Sequence, residues 1–472
     1  MVVRLSALAS LVLMSSTVMA RGVSPYLSLS LSPEIEHQVE RVMVLADKPI
    51  MTRPIAAATV LEALPKACEK DAVLCGQVKR YLRRLMGSAG VSHASLEASL
   101  ANNNSTTLAN RHGMAADSNY QASVSAYWQP SDYLLLNAGL VSDENNTTLT
   151  NTLVSLGVDY AQLDIGYRDH WLSPMTDSSL LLSTNARTMP SITLSNYQPI
   201  SSWNVQYELF LAEMASSDHI SYQGGYTSGH PMLAGLHLSF QPLPGWALGV
   251  NRVMQYGGGA RGGKGLSDIF SAFFRPGHSD NTSNGGLTTD QEFGNQAASI
   301  TSRFIFPGET PFSVYFEYGG EDTSGGSNFR LGNAALSGGI HFPRLWQDFD
   351  LTLELSEWQN GWYVHHIYQD GLTNDGAVIG HWGANQRQFN DGVGGQSLML
   401  NLGWQPEFGG LAQARYRTVN NQSYGQRHYD RSQELILSYS VPWRLYLVGG
   451  ELQIGRDALG ENYNRLTAFI RF

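Results

Sequence analysis

The chain has 472 residues, 42% of them hydrophobic but only 15% charged, against about 25% charged in an average soluble domain. Its 48 Gly, 22 Tyr, 17 Phe and 10 Trp exclude a disordered chain, and 2 Cys cannot staple a disulfide framework of this length. A net charge of −10 argues against a nucleic-acid partner, which requires a clustered basic surface.

Residues 1–20 read as a secretory signal peptide. Arg4 supplies the charged start, Leu5 to Met14 the apolar stretch, and Val18-Met19-Ala20 the small-residue cleavage pattern. That stretch is shorter than the roughly 20 residues a membrane helix needs, and no later one approaches this length. The chain is therefore expected to leave the cytosol and then either stay soluble or enter a membrane as strands.

Residues 21–118 read as a helical segment followed by a linker. Ser32 is a candidate N-cap, Pro33 sits at the first helical position, and Glu34 and Glu36 place negative charge in the first turn. Ile35, Val39 and Val42 then recur at helical spacing. A second helix is predicted from Pro54 to Leu64, stopping before Pro65, and a third from Lys70 to Met86, with Gly87 as its stop. Helices this short are marginal alone, so their apolar stripes need something to pack against. Lys79, Arg80, Arg83 and Arg84 form a basic stripe, either in contact with lumenal acids or anionic lipid, or a solvated face. Cys68 and Cys75 are expected to form a local disulfide at a helix junction. The alternative is two unpaired small apolar residues, since their Cα separation is not readable from sequence. Residues 88–118, rich in Asn, Ser, Thr and Ala, read as the linker.

From residue 119 to 472 the apolar period is two. Phe312, Val314, Phe316 and Tyr318 alternate with Ser313, Tyr315 and Glu317, and Leu351, Leu353 and Leu355 with Thr352, Glu354 and Ser356. Leu398 to Trp404 and Leu435 to Val441 follow the same rule. A soluble β-sandwich would alternate too, but three features favour a membrane barrel. The segments run about nine to eleven residues, the length of a tilted membrane strand. Aromatic rings recur beside short Pro-containing turns, as in Trp128-Gln129-Pro130, Trp404-Gln405-Pro406 and Val441-Pro442-Trp443, where they would form interfacial girdles. Short turns also alternate with long Gly- and Asn-rich stretches near 256–296, 319–330, 358–396 and 419–432. The last residues, Leu466, Ala468, Ile470 and Phe472, alternate with Arg465, Thr467, Phe469 and Arg471, and the terminal Phe resembles the assembly signal of bacterial outer-membrane barrels. That strand must pair with the first, because an open edge in lipid leaves unsatisfied backbone groups. At roughly 20 residues per strand with its share of loop, the predicted fold is an all-β transmembrane barrel of about 18 antiparallel strands, preceded by the small helical segment.

The inventory for catalysis is poor, and the expectation is a protein that is not an enzyme. There is no Gly-x-Ser-x-Gly elbow. His365-His366 is an adjacent pair that in a strand would point to opposite faces, so no metal site is expected. Gly258 to Gly265 superficially resembles a phosphate loop, but Gly265 replaces the required Ser or Thr and no strand-to-helix context is expected around it. The lumenal pattern is richer: Asp164 and Arg168 lie beside Leu163 and Ile165, and Arg415 and Arg417 beside Ala414 and Tyr416. Arg forks bind carboxylates and aromatic faces stack on sugar rings, although polar side chains fill any barrel interior.

One stretch resembles the capsule assembly protein Wzi family: Gly166-Tyr167-Arg168-Asp169-His170-Trp171-Leu172-Ser173-Pro174, followed by Ser178 to Pro190. The family pattern there is Asp-Arg-Trp-Trp-Gly-Pro, then Ser-Leu-Ile-Leu-Ser-Asn-Asn-Ala-Arg-Pro-x-Pro. Asp169, Trp171, Pro174, Ser183, Asn185, Ala186, Arg187 and Pro190 match, whereas His170, Leu172, Ser173, Thr184 and Thr188 depart. Val378-Ile379-Gly380-His381-Trp382-Gly383 with Asp391-Gly392, and Tyr26 to Ser30, are also similar to family segments. The resemblance implies an outer-membrane barrel plugged by its N-terminal helices at the periplasmic end. It implies a non-enzymatic lectin without cofactor, organising capsular or other exported polysaccharide at the cell surface. An oligosaccharide channel is the alternative. The implied partners are that polysaccharide, outer-membrane lipids with lipopolysaccharide, and the barrel assembly machinery during insertion, with the chain itself a monomer. Arg168, Asp169, Trp171, Arg187, His381, Trp382, Arg415 and Arg417 are the candidate polysaccharide-binding or lumen-architectural positions. Asp169 and Arg187 could equally form an ion pair holding an inward-folded loop.

Overall fold

Hydrocarbon offers no hydrogen-bond partner to a peptide group, so a sheet in a membrane must pair every strand on both sides. The computed structural model describes residues 22–102, 107–274, 288–323, 331–385, 392–422 and 428–472; the expected signal peptide and Asp391 lie outside them. Among the described residues, eighteen antiparallel strands form one closed sheet, each beside its sequence neighbours. They are β1 (Ala89–Asn102), β2 (Tyr120–Ser131), β3 (Leu134–Asp143), β4 (Thr152–Val158), β5 (Ala161–Tyr167) and β6 (Ser191–Ser195). Next come β7 (Gln206–Glu213), β8 (Met232–Leu243), β9 (Trp246–Tyr256), β10 (Gly294–Phe306), β11 (Phe312–Thr323) and β12 (Leu331–Leu345). The last are β13 (Phe349–Trp358), β14 (Gly395–Trp404), β15 (Leu411–Asn421), β16 (Ser432–Trp443), β17 (Tyr446–Arg456) and β18 (Asn462–Arg471). A three-residue piece, Thr147–Leu149, adds to the edge of β3. Closure runs from Ser95 opposite Arg471 to Asn102 opposite Asn464.

The opening strand corrects the reading of residues 88–118 as linker, and with it the barrel boundary at 119. Leu96 and Leu100 face outward while His93, Glu97 and Ser99 are buried inward, so the alternation is present. Ser and Ala at the intervening positions dilute it, and only pairing with both β2 and β18 makes the segment a strand. Elsewhere the period-two reading holds. Phe316 is 42% exposed beside fully buried Glu317, and Leu355 is 51% exposed beside Glu354 at 4%. The rings at the short-turn end form a stacked band. Trp246, Phe304, Phe306, Phe312 and Phe342 follow one another with centroids 4.7–6.3 Å apart, and Trp443, Tyr446 and Phe472 extend the band.

Three helices, α1 (Pro33–Leu45), α2 (Ala57–Lys70) and α3 (Ala72–Leu82), sit inside that end. Val39, Val42, Leu45, Val60, Leu64, Leu74, Val78 and Leu82 bury one another and the inward faces of Tyr127 and Leu135. The short turns receive them: Arg41 donates to the Pro343 carbonyl at 2.6 Å, Arg344 to that of Lys70 at 2.6 Å, and Arg84 to that of Leu445 at 2.8 Å. α2 runs through Pro65 instead of stopping before it, because Pro65 is on the exposed face, where water can satisfy the carbonyl its missing N–H leaves free. Ser32 precedes α1 but its hydroxyl meets His93 Nδ1 at 3.0 Å instead of capping the helix. Cys68 and Cys75 are joined in a disulfide, their Cα atoms 5.2 Å apart. Of the basic stripe, Lys79, Arg80 and Arg83 are exposed, while Arg84 lies over the Phe472 ring at 3.9 Å.

A nine-residue helix, α4 (Leu266–Phe274), follows the glycine stretch after β9, correcting the expectation that no strand-to-helix context surrounds it. The Asp268 carboxylate accepts from the Gly265 N–H, occupying with negative charge the end a phosphate would need.

Glu40 of α1 ties plug to wall. Burial opposes its charge, but Arg303 on β10 and Arg53 hold its pKa down to about 2 from an ordinary 4.5. A depressed carboxylate pKa stabilises the fold above the unfolded value and loses that contribution as pH falls through the folded one. The contribution of Glu40 to plug docking should therefore be full at neutral pH, fall off below pH 4.5 and be gone near pH 2. Glu40→Ala should cost about 3–5 kcal/mol at neutral pH by stranding Arg303, read as accelerated hydrogen exchange across α1 with the barrel wall unchanged.

Candidate functional site

Two long connections turn into the lumen instead of projecting from it. They are residues 168–190, between β5 and β6, and the described residues 359–385 and 392–394, between β13 and β14. Both carry apolar side chains that bury against each other: Leu172, Leu180, Leu181, Leu182 and Met189 pack with Trp362, Tyr363, Leu372 and Ile379, and with Trp358 at the end of β13. Ser183 fastens the two, its N–H donating to the Ile379 carbonyl at 2.7 Å and its hydroxyl to that of Gly380 at 2.6 Å. The plug meets the first connection through Arg53 and Trp171, whose backbones exchange two 3.0 Å hydrogen bonds.

Most of the candidate residues are structural members of this assembly. Arg168 binds Asp164 at 3.2 Å and Glu208 at 2.8 Å and lies over the Tyr26 ring at 4.8 Å. Burial opposes its charge, yet Glu208, Tyr26 and Asp164 hold it protonated above the usual arginine range. Asp169 accepts from His112 Nε2 at 3.0 Å and from the hydroxyls of Thr150 and Thr188 at 3.1 and 2.5 Å. Despite burial, His112 and these donors keep its carboxyl below the ordinary range. Arg187 does not reach Asp169; it pairs with Asp375 of the second connection, which removes the imagined Asp169–Arg187 pair. The Trp171 indole donates to the Met175 carbonyl at 3.0 Å.

A second node joins Trp382 and Arg417 through Asp177, with the His381 ring 5.6 Å from that of Trp382. The Trp382 indole donates to Asp177 Oδ2 at 2.9 Å, and Arg417 Nε to Oδ1 at 2.7 Å while its guanidinium sits 5.0 Å over the Trp382 ring. Burial would raise the Asp177 pKa, but Arg417 and then Arg415 lower it. His381 Nδ1 accepts from the Gly383 N–H at 3.0 Å and Nε2 meets Ser397 Oγ at 3.0 Å, which places the proton on Nε2. Burial depresses its pKa to about 4, so the ring is neutral at physiological pH. Arg415 has one long contact, 3.4 Å to Asn401, and faces a cavity between the plug and β13–β15.

The open site lies elsewhere. At the long-loop end, residues 215–219 from the β7–β8 loop and residues 363–378 surround a polar cavity lined by His219, Tyr363, Tyr368, Gln369, Asp370 and Asp375. His219 Nδ1 and the Ser217 hydroxyl both meet the Asp370 carboxylate, at 2.9 and 2.6 Å. His219, Asp370 and Asp375 remain partly exposed. Sequence reasoning named none of these lining residues. The Gly- and Asn-rich composition flagged the 358–396 loop but not which of its side chains converge with a second loop. It likewise missed Asp177, Glu208 and Arg53, whose partners are 13 to more than 200 residues away.

The sequence matches the family description of capsule assembly protein Wzi across residues 88–397. The chain belongs to the capsule assembly protein Wzi family. Among solved structures, Wzi of Escherichia coli matches with a TM-score of 0.73 at 16% identity, covering 95% of this chain and 99% of that one. That protein is described as an outer-membrane, carbohydrate-binding β-barrel involved in group 1 capsule assembly. OpdQ of Pseudomonas aeruginosa matches with a TM-score of 0.50 at 8% identity, covering 81% and 97% of the two chains. No curated protein sequence matches. This Wzi-family chain is thus an outer-membrane barrel. The family motif in it, from Arg168 to Pro190, is the inward connection that packs the lumen.

Asp169→Ala should destabilise the fold by about 2–4 kcal/mol through unpaired buried partners, seen as unfolding at lower denaturant concentration. Asp370→Ala, at a partly exposed position, should leave that midpoint within about 0.5 kcal/mol of the parent.

Proposed function

We propose that this protein is a non-enzymatic lectin that holds exported capsular or related polysaccharide at the cell surface through its long-loop end. The observation that carries the reading is the contrast between a packed lumen and an open polar cavity at the mouth. Plug helices fill one end and two apolar connections the other, which supports a binding role over an oligosaccharide channel. The mouth cavity combines carboxylate, imidazole and amide groups, the mixture that recognises sugar hydroxyls. Arg187, at its edge, adds a cation suited to acidic sugars. His381, Trp382, Asp169 and Arg168 serve by holding the connections that shape this cavity.

Cells lacking the chain should make polysaccharide at the normal rate but release it into the medium. Asp370→Ala with His219→Ala should reproduce that release while the barrel still folds; unchanged surface attachment would sink the proposal. In planar bilayers the intact protein should be nearly silent, whereas a large steady conductance would favour the channel.

A further inference from the structure

The adjacent histidines 365 and 366 sit in a turn of the second connection, so their rings do not point to opposite faces as they would in a strand. Their centroids are 4.2 Å apart at 35°, and both approach Glu292, which precedes β10 in a different loop. One donor atom from each of Glu292, His365 and His366 lies within 4.8 Å of the other two. We propose that these three side chains form a site for a divalent transition metal of the zinc or copper type at the long-loop end.

Three observations carry the assignment. The Glu292 carboxylate is buried to 1% exposure, and its Oε1 has no hydrogen-bond partner, an expensive state for a buried oxygen that a cation would relieve. Its other oxygen meets His366 Nε2 at 2.6 Å, so a proton now occupies the place between two donors that a metal would take. His366 is 55% exposed, which gives an ion a path from solvent and lets that ring swing by the small amount needed. Donors at about 2.0–2.1 Å from a tetrahedral zinc stand roughly 3.3 Å apart, so the set must contract modestly. The backbone N–H of Ile367 donates to His365 Nδ1 at 3.2 Å, a long contact within the ring's range of adjustment. Two imidazoles with one carboxylate select borderline metals over calcium or magnesium, which take oxygen ligands.

The charged neighbours permit it. Arg261 donates to the Glu292 carbonyl at 2.9 Å, directing part of its charge to backbone oxygens, and Asp290 stands 4.0 Å from its guanidinium. A bound ion would clamp the loop before β10 to the turn that carries Tyr368 and Gln369 into the mouth cavity. It would thereby stiffen one wall of that cavity.

The test uses the full chain in detergent, stripped of metal and titrated with Cu²⁺ or Zn²⁺ alone. One ion per chain is expected, with a Cu²⁺ electron paramagnetic resonance spectrum showing coupling to two nitrogens. His366→Asn should weaken binding at least tenfold and leave coupling to one nitrogen. Glu292→Gln should weaken binding while both couplings remain. No stoichiometric binding, or unchanged affinity in a folded His365→Asn/His366→Asn double variant, would overturn the assignment.

Discussion

The constraint on which this molecule rests is that every peptide group inside the hydrocarbon layer must find a partner within the sheet. The β1–β18 seam meets it, and the lumenal side of that seam shows how the rest is organised around closure. Arg471 of β18 pairs with Glu97 of β1 and with Glu34 in the first turn of α1, while Arg111 grips Glu97 at 2.8 Å. One ion network therefore spans the last strand, the first strand and the plug. The position of Glu34 at the N-terminus of α1 suits the helix dipole, but its ion partner, Arg471, comes from the other end of the chain.

Closure in turn creates an interior that must be filled. An 18-stranded cylinder is wide enough to leave a passage. Here the apolar stripes of three short helices and two long connections use that volume instead of lipid or water. The charged groups carried inward with them are costly to bury, and several are compensated by specific partners, as Arg53 and Arg303 compensate Glu40 and Arg417 compensates Asp177. This division explains why the most conspicuous motif of the chain is architectural. Trp171, Asp169 and the Leu180–Leu182 run are buried within the packed interior, while partly exposed polar groups gather at the mouth.

The wall was legible because a strand with lipid on one side and a polar lumen on the other must alternate. Chain length divided by strand-plus-loop length added the strand count, and rings beside the short turns added the aromatic band. β1 escaped because Ser and Ala blur the contrast, and the run through Pro65 escaped because a proline is tolerated where its free carbonyl meets water. The direction in which a long loop folds has no comparable local signature. Gly- and Asn-rich composition marks 358–396 as a loop whether it projects outward or packs inward.

Local sequence thus determined the elements of this protein: alternation, helical periodicity and turn chemistry act over a few residues and need no knowledge of distant ones. Only the tertiary structure decided which charges neutralise one another and which side chains converge at the mouth. Arg187 meeting Asp375 instead of Asp169, and His219 meeting Asp370, depend on where loops more than 150 residues apart are brought by barrel closure. Pairing energy falls with distance in space, and separation along the chain does not encode that distance until the cylinder is sealed.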